Sequence, residues 1–309
     1  MRLNSHKPLV SVVLASYNGE KYIEEQIKSI LQQTYSPIEL IIVDDASTDN
    51  TVSIIRQFQA SHSCIKLFTS KCNEGYIKNF EKGMSMATGE YIALSDQDDI
   101  WEAGKLSRLV EEIGNHELIY SDSLLIYENG FSMNKKLSDV KKLQDFDDCL
   151  CYTIGGSVPG HAMLISRRLI KDCYPFPPGI PHDYWIGFVA TFRGTMKFIP
   201  EALVRYRQHD NNLAGIPGSP YRQSRRIREN ETKSAIKSRI GLLYEKCPAD
   251  LPQKAVLRAI AESYSSFSLK NNLRRVVLFF GNYEKILSFK KKPVWKKWLF
   301  CLKMFVKIE

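Results

Sequence analysis

The chain has 309 residues, 44% of them hydrophobic, 25% charged and 11% aromatic, which is enough for one large domain, or one with an appendage, at roughly 150 residues per domain. That composition excludes a small disulfide scaffold, a collagen-like repeat and a wholly disordered chain. The net charge of +9 conceals two opposite parts: from residue 221 onward there are 21 Lys and Arg against 7 Asp and Glu, whereas residues 1–220 carry 22 basic and 27 acidic side chains.

Val10-Ser-Val-Val-Leu-Ala15 is rich in β-branched residues and runs into Tyr17-Asn18-Gly19, a turn signal, after which Ile23, Ile27, Ile30 and Leu31 recur at helical spacing. This predicts strand, loop, helix. Pro37 closes the helical stretch, Glu39 to Val43 reads as a buried strand, and Asp45-Ala-Ser47-Thr48-Asp49 supplies turn and N-cap residues for a helix through Val52, Ile55 and Phe58. The pattern repeats with Ile65 to Thr69 as strand, about Ile77 to Ala87 as helix and Tyr91 to Ser95 as strand. Successive units of this kind predict an α/β fold whose mainly parallel central sheet has helices on both faces, because parallel strands need crossover connections. Ligands on such sheets bind at the carboxyl ends of the strands.

Acids sit at those ends. The second strand runs into Asp44-Asp45, and the Tyr91 strand into Ser95-Asp96-Gln97-Asp98-Asp99-Ile100-Trp101. Three carboxylates in four residues would repel one another and cost desolvation if buried without a partner. A hard divalent cation, Mg²⁺ or Mn²⁺, is the natural partner, since it takes one or two protein carboxylates together with substrate phosphate oxygens. The alternative is that these acids cap the helix containing Leu106, Leu109, Val110 and Ile113. There is no G-x-x-x-x-G-K-[ST] loop and no strand-linked G-x-G-x-x-G. Phosphate binding would therefore go through metal rather than a glycine cradle.

Residues 10–23 (VSVVLASYNGEKYI), 39–51 (ELIIVDDASTDNT), 89–101 (GEYIALSDQDDIW), 182–185 (HDYW) and 206–209 (YRQH) resemble glycosyltransferase family 2 enzymes of the GT-A fold. The last three stretches resemble a narrower group that contains bacterial rhamnosyltransferases of surface-polysaccharide assembly. The resemblance spans residues 8 to about 212 and implies a GT-A domain over 1–220, followed by a basic helical region over 221–309. It implies transfer of a sugar, with inversion, from a nucleotide diphosphate donor to a lipid-linked saccharide acceptor. Rhamnose from dTDP-rhamnose is the first choice, and a glucose, galactose or N-acetylhexosamine from a UDP-sugar is the alternative. By motif position it implies that Ala15, Tyr17 and Asp45 embrace the nucleoside, that Asp96 lies by the ribose or a metal-bound water, and that Asp98 ligates Mn²⁺ or Mg²⁺ with help from His209. It further implies that Asp183 is the catalytic base. Lys78 is a candidate for the donor phosphates, against the default of an exposed lysine. From the residues alone, Asp183 could cap the helix containing Trp185, Ile186 and Val189, Asp99 could cap the helix after the acidic turn, and His161 reads as structural. Trp101 and Trp185 read as core or pocket walls. No Q-x-x-R-W element is present, so one sugar or very few per encounter is expected. A non-catalytic nucleotide-sugar or glycan binding protein is the reading from another class.

Residues 122–160 show no readable periodicity and read as pocket-lining loops. Helical spacing returns at Ala235 to Leu243 and Val256 to Phe267. Lys290 to Glu309 holds seven lysines and one acid, with Trp295, Trp298, Leu299, Leu302, Phe305 and Val306 on one helical face. That face predicts peripheral contact with an anionic membrane, and the alternative is a helix docked on the domain. Nucleic acid is disfavoured, because the aromatics form a stripe rather than lining a groove. The seven cysteines lack any C-x-x-C pair, and the N-terminus lacks a signal-peptide core. A cytoplasmic protein at the inner face of the cell membrane is expected.

Overall fold

The β-branched runs of the first hundred residues form parallel strands in the computed structural model, which describes residues 7–156, 158–210, 212, 216 and 233–305. They are β1 (Val10–Ser16), β2 (Ile38–Asp44), β3 (Ile65–Thr69) and β4 (Tyr91–Ser95). β1 pairs with β2 and β4, and β3 lies outside β2, all in parallel. The crossovers are α1 (Ile23–Leu31), α2 (Thr51–Ser61) and α3 (Tyr76–Met86). Both faces of these strands are covered, which is why they read as continuous apolar runs. Val13, Ile41, Val43 and Leu94 meet Phe80 and Met84 of α3 on one side, while Val12, Leu14, Leu40 and Ile42 meet Ile23 and Ile27 of α1 and Ile55 of α2 on the other.

After β5 (Ile100–Trp101) and α4 (Lys105–Ile113) the sheet continues through β6 (Leu118–Ile126), β7 (Ser132–Lys136), α5 (Leu137–Val140), β8 (Met163–Ser166), α6 (Arg167–Cys173), α7 (His182–Ala190) and β9 (Lys197–Arg207). The strand order is β3-β2-β1-β4-β8-β6-β9-β5, with β7 paired to β6. β6 and β9 are parallel, whereas β8 runs antiparallel to both β4 and β6. The expected mainly parallel α/β sheet is thus present, extended by antiparallel pairings that the sequence pattern did not announce. Residues 122–160 are not all loop: β6 runs to Ile126 and β7 follows it.

At the amino ends of the strands, away from the carboxyl-end acids, buried Glu39 ties three segments together. Its carboxylate accepts from Ser11 Oγ at 2.6 Å, Thr88 N at 2.8 Å and Lys66 Nζ at 2.8 Å. Burial by itself would raise its pKa, but Lys66, Ser11 and Thr88 outweigh burial and pull it from 4.5 down to about 2. A depressed carboxyl contributes stability that is present above its unfolded pKa and lost as pH falls through the folded one. Glu39→Gln is therefore expected to cost on the order of 2 to 3 kcal/mol at neutral pH. Urea titrations at several pH values should show that deficit shrinking between about pH 5 and pH 2.

Among the described residues five further helices follow: α8 (Lys233–Lys246), α9 (Gln253–Ser263), α10 (Leu269–Gly281), α11 (Tyr283–Ile286) and α12 (Val294–Lys303). Ile240, Leu257, Phe279, Ile286 and Cys301 belong to the same buried cluster as Tyr152, Trp185 and Phe188. Lys142 Nζ donates to Ser288 O at 2.8 Å and Lys285 pairs with Asp148 at 2.9 Å. The expected boundary at residues 220 and 221, and Val306 of the tail face, lie outside the described residues. Among the described residues no helix is long and apolar enough to cross a membrane. All seven cysteines carry free thiols.

Candidate active site

The carboxyl ends of β1, β2 and β4 come together with the end of β9 and the start of α7. Asp44 shapes the first turn: its carboxylate accepts from Ser16 Oγ at 2.9 Å and from Ser47 N at 2.9 Å. Asp45 is buried, and its two oxygens take the backbone amides of Glu74 and Gly75 at 2.9 and 2.8 Å, pinning the start of α3 to the end of β2. Ala15 stands partly buried at the end of β1. Tyr17 follows, 45% exposed, and its backbone is held on both sides by Gln97, which accepts from Tyr17 N at 2.8 Å and donates to Tyr17 O at 3.1 Å. Lys78 lies on the exposed side of α3 and pairs with Glu81 at 2.6 Å.

The three acids after β4 turn in different directions. Asp99 is fully buried; its Oδ1 accepts from Arg207 N at 3.0 Å, while its Oδ2 has no hydrogen-bond partner among the described residues and lies 4.0 Å from His161 Nδ1. Asp98 meets His209, with Nε2 and Oδ2 2.7 Å apart. Asp96 is partly exposed, and burial together with the charges of Asp98 and Asp183 raises its pKa to about 7. Helix α4 has Gly104 as N-cap and no side-chain cap bond. The capping alternative for these acids, Asp99 included, therefore falls.

Two buried cations back the acidic turn, and neither was assigned a role from sequence. The Arg207 side chain donates from Nε to Asp98 O at 2.8 Å and from Nη1 to Glu128 O at 2.8 Å, and it pairs with Glu25. Lys105 Nζ donates to His161 O at 2.6 Å and lies 3.3 Å from the centroid of the Trp101 ring. Burial pushes Asp99 well up and Lys105 well down, and each charge pulls the other back toward its ionised form. Arg207 was visible within YRQH, but no pattern marks Lys105, which one sequence presents as an ordinary surface lysine. His161 stacks on Tyr206 with ring centroids 4.3 Å apart, and its Nε2 lies 2.9 Å from Ser123 Oγ. Burial lowers its pKa well below the usual histidine value. Donor atoms of Asp96, Asp99 and His161 lie within 4.8 Å of one another.

Asp183 occupies the first turn of α7 rather than its N-cap, which is Pro181. Its Oδ1 accepts from Tyr184 N at 2.8 Å. The backbone of Gly160 comes so close that a Cβ there would stand 3.2 Å from Asp183 Cβ and 3.2 Å from His182 Nε2. His182 stacks on Phe80 at 4.0 Å between ring centroids, and burial lowers its pKa to about 4. Trp101 and Trp185 are buried, as the sequence predicts. Asp183 and Asp96 are near enough that each charge also raises the Tyr76 hydroxyl, which burial and these two acids take up to about 12.

An orphaned carboxylate oxygen on Asp99, a carboxyl raised to about 7 on Asp96 and a histidine against Asp98 fit a divalent cation by the chemistry of the donor set. The family model described as "Glycosyl transferase family 2" matches residues 11–173. A dTDP-rhamnosyl transferase of Shigella flexneri is 32% identical over 217 residues, covering 65% of this chain and 73% of that protein. TarS of S. aureus in complex with UDP-GlcNAc has a TM-score of 0.61 at 19% identity, over 97% of this chain and 81% of its own. A mannosyltransferase of Pyrobaculum calidifontis in complex with GDP-Man and Mn²⁺ has a TM-score of 0.57 at 18% identity, over 98% of this chain and 88% of its own.

Proposed function

Since the chain belongs to glycosyl transferase family 2 and is a glycosyltransferase, we propose that it moves one sugar per encounter, with inversion, from a nucleotide diphosphate donor to a lipid-linked saccharide in cell-surface polysaccharide biosynthesis. The observation that carries this is the acidic cluster after β4, where Asp98 meets His209 at 2.7 Å and donor atoms of Asp96, Asp99 and His161 lie within 4.8 Å of one another. dTDP-rhamnose is the favoured donor, supported by the likeness to the Shigella flexneri dTDP-rhamnosyl transferase. A UDP-sugar is the second reading, supported by the likeness to TarS, whose structure holds UDP-GlcNAc.

An acceptor hydroxyl is a poor nucleophile, so a carboxylate must take its proton as it attacks the anomeric carbon from the face opposite the leaving group. Asp183 takes that proton. Its Oδ1 is turned toward the Tyr184 amide, which holds the carboxylate in one orientation. Ala15, Tyr17 and Asp45 form the nucleoside side of the cleft, and Gln97 fixes the Tyr17 backbone there. Asp96 serves the ribose or a metal-bound water, and Lys78, which pairs with Glu81 on the exposed side of α3, is the candidate for the donor phosphates. A divalent cation, Mn²⁺ or Mg²⁺, held by Asp98 and His209 would offset the charge that builds on the leaving diphosphate. The lipid-linked acceptor places the enzyme at the cytoplasmic face of the membrane, touching anionic lipid through its basic helical region.

A ligand that binds the native state alone raises its stability. Thermal unfolding with dTDP, UDP and GDP, each with Mn²⁺ and with EDTA, is expected to give a metal-dependent rise for one nucleotide. Asp98→Ala is expected to remove the metal-dependent part of that rise. A folded wild-type protein that shifts with none of the three would overturn the proposed donor class.

A further inference from the structure

We propose that α10 and α12 form a preassembled two-helix platform that lies on an anionic lipid surface. The inference deepens the membrane contact of the proposed function and adds α10 to it. On α10, Leu269, Leu273 and Val277 recur every four residues and are 66%, 52% and 70% exposed, turned away from the buried Asn272, Arg275 and Phe279. α12 packs against both α10 and α11. Cys301 and Met304 are buried in that contact, and Trp298 meets the Tyr283 ring edge-on at 6.4 Å. The outer side of α12 leaves Trp295, Trp298, Leu299 and Leu302 about half exposed. The tail helix therefore docks and still presents an apolar stripe, and the helix it docks to presents an exposed apolar stripe of its own.

The surroundings of these stripes select the occupant. Residues 268–303 contain ten Lys and Arg and one acid, Glu284. Lys270, Lys296 and Lys303 are exposed on the same two helices, and exposed Arg274 pairs with Glu262 at 2.7 Å. An apolar strip with tryptophans, rimmed by cations, matches the acyl and headgroup layers of an anionic bilayer. A second copy of this chain would bring one basic rim against another. An acidic protein would satisfy the rim but gives no reason for two tryptophans at its border.

The test uses the full chain, sedimented with vesicles of phosphatidylcholine alone and of phosphatidylcholine with roughly 30% phosphatidylglycerol. Wild type is expected to bind the anionic vesicles preferentially. One variant carries Leu269→Ser, Leu273→Ser and Val277→Ser; another carries Trp295→Ser, Trp298→Ser and Leu302→Ser. Each is expected to lose at least about tenfold in vesicle affinity, with the nucleotide-dependent thermal rise unchanged. If only the α12 variant loses binding, the two-helix platform is overturned while the membrane reading stands. If wild type fails to bind, both are overturned, and wild-type dimerisation broken by either variant would name a second copy as the occupant. Vesicle binding by a folded protein that shows no nucleotide-dependent thermal rise would leave the platform in place and overturn the proposed donor class.

Discussion

Asp183→Asn is expected to lower transfer by about 10²- to 10⁴-fold, the range for losing a positioned general base, while nucleotide binding stays at the wild-type level. The amide keeps the size of the carboxylate and its Oδ1 still accepts from Tyr184 N, so the first turn of α7 is preserved. Only basicity is lost. The base acts on the acceptor proton in the transition state, and the substitution should therefore appear in kcat with little change in KM for the donor. A structural role would instead lower stability and disturb donor binding together. Turnover within about fivefold of wild type, in protein that still shifts with nucleotide, would assign the base elsewhere.

The parts of the fold that could be read from sequence share a cause, and so do the parts that could not. β1 to β4 are buried on both faces, so their sequences are continuous apolar runs bounded by turns. β6 is equally buried but carries Ser121, Asp122 and Ser123 in its middle. Their polar atoms are paired locally: Asp122 Oδ1 accepts from Ser123 N and Ser138 N, and Ser123 Oγ meets His161. A buried strand whose polar atoms are paired looks like a loop when its partners are unknown. β9 hides for another reason, since it contains Pro200 where the pairing register with β6 shifts.

The site divides in the same way. Asp96, Asp98, Asp183 and His209 stand in short motifs, and the fold brings Asp98 to His209 and Asp183 toward Asp96. Spacing alone cannot say that Asp99 turns inward while Asp98 faces His209, because adjacent side chains in a turn have no fixed period. Nor can it place Lys105. Its burial depends on Trp101 and on the carbonyl of His161, a residue fifty-six positions away.

Lys105→Met is expected to destabilise the protein by about 3 kcal/mol, the cost of leaving the buried Asp99 charge without its offsetting cation and His161 O without its donor. Methionine fills much of the same volume against Trp101, so lost packing is a minor part. What remains is Asp99, buried with one orphaned oxygen and with Asp96 and Asp98 beside it. If Lys105 and Asp99 were instead both neutral in the folded protein, the substitution would remove one hydrogen bond to His161 O, at about 1 kcal/mol. The magnitudes separate the two states. Charge also predicts non-additivity: Asp99→Asn keeps the acceptor for Arg207 N and removes the uncompensated charge, so the double variant should recover at least about 1 kcal/mol over Lys105→Met alone. Urea midpoints of the four proteins measure this coupling directly. A loss under about 1 kcal/mol with additive singles would mean that the lysine is only filling space beneath the acidic turn.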